Sequence, residues 1–305
     1  MDKKPNIGGQ AVIEGVMMRN ANAVATAVRE PSGTITVKNE KIISIAERFP
    51  ILKKPMLRGV VALGESLVVG LKALSYSAQM AGDEGETLSD KEIVLTMIFS
   101  LCLTIVLFVI IPTAAAKYVH SAIKDPMLLN LAEGGLRMLI FFLYIYGISR
   151  MKDIKRVFQY HGAEHKSIYN YESGKELSVE NARMSTRLHP RCGTSFLLLV
   201  MFISIIVFSL VDTLFPLPKN IFLLIGYKIF TRVPFVPIVA GISYEIQRWT
   251  SYRLDNISAK MISIPGMWLQ KITTKEPDDS QIEVALVALN VALGNEVKNA
   301  IEVFE

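Results

Sequence analysis

Residues 93–116 form an uninterrupted apolar run in which no side chain carries a charge. A helix that crosses the hydrocarbon core of a bilayer needs roughly 20 such residues, so this run predicts a transmembrane helix. Three further apolar blocks occupy residues 135–149, 195–215 and 220–243. The last block contains Lys228, Arg232 and two prolines, so it either faces a polar bundle interior or breaks into two short pieces.

The composition agrees with a membrane protein and excludes several other classes. Hydrophobic residues make up 51% of the chain, and the charged fraction of 20% lies below the roughly 25% that is typical of soluble domains. The net charge of +5 comes without a basic stripe that is interleaved with aromatic residues, so we expect no nucleic-acid partner. The polar N-terminal segment lacks the apolar core of a secretory signal peptide, and two distant cysteines do not make a disulfide framework.

The basic residues that flank the apolar blocks predict how the chain crosses the bilayer, because cytoplasmic loops carry an excess of lysine and arginine. Such residues precede the first block and follow the second and fourth blocks, at Lys53, Lys54, Arg58, Lys72, Arg150, Lys152, Lys155, Arg156, Arg248 and Arg253. The loop between the first two blocks holds only Lys117 and Lys124. We therefore expect four spans, with both termini and the segment 150–194 in the cytoplasm.

The expected fold class is a mainly α membrane protein with about four transmembrane helices, a small N-terminal β-rich unit and cytoplasmic helices. In the β-rich unit, residues 22–38 have the pattern of a hairpin. In the tail, Ser280 and Glu283 have the spacing of a capping box at a helix start. The predicted units are a β-rich cytoplasmic unit at 1–54, an amphipathic helix and charged linker at 55–92, transmembrane helices at 93–149, a cytoplasmic His/Cys loop at 150–194, transmembrane helices at 195–243 and a cytoplasmic helical tail at 244–305.

The predicted cytoplasmic loop concentrates the side chains that bind transition metals. It contains three of the four histidines and one of the two cysteines, at His161, His165, His189 and Cys192. Imidazole and thiolate ligands suit zinc better than magnesium or calcium. The sequence therefore predicts a zinc site with these four residues as ligands.

A helix over residues 152–172 would place His161 and His165 on one face, one turn apart, with Glu164 close by. The pattern His-x-x-Glu-His is the zinc motif of the inverzincin proteases, in which the glutamate is the general base. Glu164 is therefore the candidate catalytic residue, because a carboxylate can take a proton from water that zinc has acidified. Two alternatives remain. In one, the histidines cap helices or pair with glutamate and lipid headgroups; in the other, four ligands close the site and make it structural.

The segment 8–19 combines glycines with an apolar stretch that carries Glu14 and ends at Arg19. It lacks the glycine spacing of a nucleotide-binding fingerprint. One interpretation is a β-strand with turn glycines. The other is a backbone cradle or a lid over the His/Cys loop, because glycine permits close backbone approach to a ligand.

Three motifs together resemble the YqhQ-like family of bacterial membrane proteins, and the similarity extends over nearly the whole chain. The motifs are Gly-Gly-Gln-Ala-Val-Ile-Glu-Gly-Val-Met-Met-Arg at 8–19, His-Gly-Ala-Glu-His-Lys at 161–166 and Leu-His-Pro-Arg-Cys-Gly-Thr-Ser-Phe at 188–196, with Glu-Pro-Asp-Asp at 276–279 and Glu-Val-Ala at 283–285 as further support. The resemblance implies a multi-pass protein of the bacterial inner membrane. It also implies a family that is labelled as predicted metal-dependent enzymes, without assigned catalytic residues.

Two functional hypotheses follow. In the first, the protein is a zinc-dependent membrane hydrolase: His161, His165 and His189 bind the metal, Glu164 acts as the base, and Cys192 is a fourth or outer ligand. Its substrate, a peptide, a lipid headgroup or a polar metabolite, approaches from the cytoplasm. In the second, it is a non-enzymatic membrane factor in assembly, transport or sensing, and its metal site is structural. The lipid bilayer is the expected partner in both hypotheses.

Overall fold

The computed structural model describes residues 7–20, 23–82, 90–119, 123, 125–214, 218, 220–253, 255–297 and 300–304. The strands are β1 (Ile7–Val12), β2 (Gly15–Asn20), β3 (Ala23–Arg29), β4 (Ile35–Lys41) and β5 (Ile301–Phe304). The helices are α1 (Ile45–Arg48), α2 (Leu57–Ala81), α3 (Asp90–Ile105), α4 (Ile111–Val119), α5 (Pro126–Ile148), α6 (Lys152–Ser173), α7 (Val179–Arg183), α8 (Gly193–Leu214), α9 (Ile221–Arg232), α10 (Val236–Ser251), α11 (Ile257–Thr273) and α12 (Asp279–Ala292). The predicted fold class is confirmed.

The five strands form one sheet in the order β1-β2-β3-β4-β5. The predicted hairpin near 22–38 is confirmed as β3 and β4, which pair in antiparallel fashion. The segment 8–19, interpreted above as one strand, is instead a second hairpin in which β1 pairs with β2. Its two-residue turn contains Glu14 at φ 50°, a backbone conformation that glycine or asparagine normally adopts. Because neither residue stands there, no ordinary turn signal marks this hairpin.

The C-terminal tail differs from the prediction in two ways. It is not purely helical, because β5 pairs in parallel with β4 and extends the sheet. The capping box of α12 lies two residues earlier than predicted, since Asp278 caps the helix and Gln281 completes the box. Glu283, which was predicted to complete the box, forms an ion pair with Arg29 on β3 at 2.8 Å.

The sheet lies between helices on both of its faces. Side chains alternate between the two faces of a strand, so neighbouring residues join different cores. Val12 and Met17 pack with Val69 of α2, whereas Val16 and Met18 belong to a core that is shared with α6 and α12. Strand β1 forms one edge of the sheet and is flanked by α2 and α6.

In the part of the chain that the structure describes, four helical segments are long and apolar enough to cross a membrane. They are Val94–Ala116, Met127–Ile148, Gly193–Leu214 and Ile221–Ser251, and they indicate a membrane protein. The fourth span is continuous from α9 to α10, although a short 3-10 turn at 233–235 interrupts the α-helix where the prolines lie. The predicted linker residues 83–89 lie outside the described residues.

The charged residues of the fourth span face the interior of the helical bundle. Lys228 forms an ion pair with Glu133 of the second span, and both side chains are less than 5% exposed. Arg232 lies 3.3 Å from Asp212 of the third span and 3.6 Å from Glu133. Arg137 completes this intramembrane charge cluster, 3.0 Å from Glu133. The charged residues of the block 220–243 therefore face a polar bundle interior, which is one of the two possibilities stated above. The block is also interrupted by the short turn at its prolines.

Gly162 is where α6 approaches the segment that leads into α12. An added Cβ there would lie 2.1 Å from the carbonyl oxygen of Lys275. We expect Gly162→Ala to lower the free energy of unfolding by about 1–3 kcal/mol, the usual cost of overpacking. Gly64→Ala is the matched control, since it has open space and should stabilise α2 by about 0.5–1 kcal/mol. Thermal unfolding in detergent measures both variants, and equal stability of the two would contradict the close approach.

Candidate metal centre

Helix α6 starts just after the second span and carries the His-x-x-Glu-His motif on its buried face. His161 and His165 lie one turn apart, as the helical spacing predicts. The chain returns past α6 through 184–192, and Cys192 lies immediately before α8, which is the third span. Two different segments thus bring imidazoles and a thiol to the end of the bundle where the second span ends and the third begins.

His161, His165 and Cys192, called the trio below, converge on one point. The Nε2 atom of His161 lies 3.1 Å from the Sγ atom of Cys192. The three potential ligand atoms all lie within 4.8 Å of one another. Two imidazoles and one thiol are a donor set that suits zinc, and these atoms are close enough together to make the trio a candidate metal site.

Backbone carbonyls orient both imidazoles of the trio. The Nδ1 atom of His161 lies 2.8 Å from the carbonyl oxygen of Thr273, and that of His165 lies 2.6 Å from the carbonyl oxygen of Arg187. Because a carbonyl can only accept, each Nδ1 must donate its hydrogen, which leaves the Nε2 lone pairs free to bind a metal. Burial lowers the pKa of His165 and thereby favours the neutral ring, the form that binds metals.

Glu164 lies beside the trio and is only 5% exposed. One carboxylate oxygen is 3.8 Å from the Nε2 atoms of both His161 and His165. The backbone N–H of Gly9 on β1 favours the ionised carboxylate, yet burial dominates and raises the pKa of Glu164. A Cβ at Gly9 would lie 2.8 Å from the Glu164 side chain, so only glycine allows this approach. A buried carboxylate with a raised pKa is suited to accept and return a proton.

His189 lies beside the trio but is not part of it. Its Nδ1 atom accepts the backbone N–H of Arg191 at 3.3 Å, so its Nε2 atom carries the hydrogen in the neutral ring. That Nε2 atom lies 3.5 Å from the carboxylate of Glu172. Burial lowers the pKa of His189 to about 4. The structure thus brings together three of the four predicted ligands and places the fourth in the wall around them.

Residues that the sequence analysis did not identify hold this wall in place. Gln270 on α11 is fully buried, and its amide contacts both backbone groups of His189 at 2.7 and 2.8 Å. Gln247 donates to the carbonyl oxygen of Cys192 at 3.0 Å. No motif marks these glutamines. The sequence offered one signal for Gln270, which is a single amide on the otherwise apolar side of α11. A buried amide requires hydrogen-bond partners, so such a residue is expected to contact another part of the chain.

A cavity of about 630 Å³ opens beside the trio and is lined mostly by apolar side chains. All five predicted site residues, Glu164, His161, His165, His189 and Cys192, line it. Its walls come from β1, α2, α6, the start of α8 and the end of α10. The second interpretation of segment 8–19, a backbone element that covers the His/Cys loop, agrees with the position of β1.

Comparison with known proteins places the chain in a family. Residues 54–295 match the model of the DUF1385 family, which is described as "Protein of unknown function". The chain is 35% identical over 308 residues to "Uncharacterized protein YqhQ" of Bacillus subtilis (strain 168), covering 95% of this chain and 92% of that protein. No solved structure matches. The chain therefore belongs to the DUF1385 family and is YqhQ-like, as its motifs had indicated.

Proposed function

We propose that this protein is a zinc-dependent hydrolase that acts at the cytoplasmic face of the bacterial inner membrane. The observation that carries the proposal is the convergence of the trio with Glu164 in one cavity. Three protein ligands are the number found in catalytic zinc sites, which keep a fourth position open for water or substrate. A bound zinc ion would polarise a carbonyl group and lower the pKa of water to about 7.

The chain's own residues divide the remaining work. His161, His165 and Cys192 would bind zinc, and Thr273 and Arg187 fix the imidazole orientation through their carbonyls. Glu164 would take a proton from the attacking water and return it to the leaving group. The burial of Glu164 supports this role, because it raises the pKa of the carboxyl group. A group that first accepts a proton and then returns it works best when its pKa lies near the working pH.

The cavity's position supports action at the membrane boundary. Cys192 precedes the third span, and Gln247 lies in the last turns of the fourth span. The distribution of lysine and arginine predicts that this end of the bundle faces the cytoplasm.

The alternative, a structural metal site in a non-enzymatic factor, would need a fourth protein ligand to close the coordination sphere. His189 is the nearest predicted candidate, but the Arg191 N–H occupies its Nδ1 atom and Glu172 lies beside its Nε2 atom. These contacts support an open site and favour the hydrolase.

The test uses protein purified in detergent, loaded with zinc and assayed with p-nitrophenyl acetate, an ester small enough to enter the cavity. We expect Glu164→Gln to keep its zinc and to hydrolyse the ester about 10²–10⁴-fold more slowly, the usual contribution of a general base. Wild-type rates in a fully loaded Glu164→Gln protein would exclude the base role. Failure of the wild-type protein to retain zinc would exclude the metal centre.

A further inference from the structure

Strand β1 forms the edge of the sheet, and residues 7–11 of this strand line the cavity beside the trio. An edge strand presents backbone N–H and C=O groups to which another extended chain can pair.

The register of the β1–β2 hairpin determines which backbone groups of β1 point towards the cavity. Val12 pairs with Gly15 across a two-residue turn, so these two residues exchange hydrogen bonds, and the alternation continues with Gln10 and Gly8. The residues between them, Ile7, Gly9 and Ala11, direct their backbone groups away from β2. Gly9 agrees with this rule, because its N–H acts on the Glu164 carboxylate and both residues line the cavity.

The cavity lies at the β1 edge of the sheet, between the helices that cover its two faces. Helix α2 covers one face of the sheet and helix α6 covers the other, and both contribute walls to the cavity next to the β1 edge. A sixth strand placed beside β1 would therefore lie between these two helices, with alternate side chains directed towards each. The helix walls are apolar there, through Leu63, Leu67, Val157, Phe158 and Ile168.

We propose that the substrate is an extended peptide segment with apolar side chains that adds to the edge of β1, where its backbone is cut beside Glu164. This inference rests on the proposed hydrolase function. In the reaction, water adds to the peptide carbonyl and the C–N bond breaks to give a carboxylic acid and an amine. Glu164 takes the proton from water and passes it to the amine nitrogen, and water is the only co-reactant.

The charges in the cavity favour a peptide over a phospholipid headgroup. Arg191 is the one lysine or arginine among the described residues that line the cavity, and it is already paired with the Glu172 carboxylate. A phosphate group would require cationic partners. A peptide backbone instead requires donors and acceptors at regular spacing. The outward backbone groups of Ile7 and Ala11 supply them on either side of Gly9, whose N–H faces Glu164.

The test compares two zinc-binding probes on the detergent-purified, zinc-loaded protein: a tetra-leucine hydroxamate and octanohydroxamate, which lacks backbone amides. We expect the peptide probe to bind more tightly. Ala11→Pro removes one outward N–H without touching the β1–β2 ladder, and edge strands tolerate proline at such positions. It should weaken the peptide probe at least fivefold and leave the alkyl probe unchanged, since one hydrogen bond is lost. Ala11→Ser keeps the N–H and should bind both probes like the wild type.

A second measurement leaves the protein unaltered. Methylating the amide nitrogens of the peptide probe one at a time should weaken binding at alternate positions only, the periodicity of strand pairing. Equal binding of both probes, or no alternation with N-methylation, would overturn the peptide inference while leaving the hydrolase proposal intact. Failure of octanohydroxamate itself to bind a zinc-loaded protein would instead count against the catalytic metal centre.

Discussion

His165→Ala is expected to weaken zinc binding by more than 100-fold. The side chain is 1% exposed, its Nδ1 atom is fixed by the Arg187 carbonyl, and its Nε2 atom faces the other two members of the trio. Loss of an outer hydrogen-bond partner already costs 10- to 100-fold in metal affinity. Removal of a direct ligand should therefore cost more. Competition with a zinc-sensitive dye, on protein stripped by chelator and reloaded, measures the affinity.

His189→Ala is the matched control for this prediction. The residue is of the same type, is similarly buried and lies with its ring centroid 5.7 Å from that of His165. Because it lies outside the trio, its replacement should change zinc affinity less than tenfold. Equal losses in the two variants would show that His189 is a ligand, as the sequence alone suggested, and would contradict the three-ligand assignment.

Different physical signals determined what the sequence could predict. The four spans were predictable because a bilayer demands long apolar helices, and the pair His161 and His165 was predictable because helical periodicity is local. The contact between Cys192 and His161 was inferred only from the scarcity of histidine and cysteine in the chain. It depends on how the loop 184–192 folds back over α6, and the spacing of residues in the sequence does not predict that conformation.

Long-range packing accounts for the remaining differences. Strand β5 pairs with β4, although most of the sequence lies between the two strands. Gln270 contacts His189 from α11, a helix that contains no recognisable motif. The second span was predicted to start at 135 but begins at Met127, because Glu133 and Arg137 are neutralised inside the bundle. Ion-pair partners on other helices lower the cost of burying these charges in the bilayer. A hydropathy average along one helix does not include those partners, so it places the start of the span too late.

Glu133 lies at the centre of the intramembrane charge cluster, and its replacement is expected to have the largest effect on stability. Its carboxylate contacts Lys228, Arg137 and Arg232, so Glu133→Gln would leave three cations with only Asp212 as a counterion among the described residues of the cluster. Breaking a buried ion pair by removing one partner typically costs about 3–5 kcal/mol. We expect a loss of that size in the free energy of unfolding, measured by denaturant titration in detergent micelles.

Lys228→Met should cost less than Glu133→Gln, because Glu133 keeps Arg137 and Arg232 as partners. The double variant should be more stable than the sum of the two single losses predicts, since residues in one ion-pair network are energetically coupled. Lys152→Gln, at an exposed position at the start of α6, is the surface control and should stay within about 0.5 kcal/mol of the wild type. Strict additivity of the two cluster variants would mean that Glu133 and Lys228 do not stabilise each other inside the bundle.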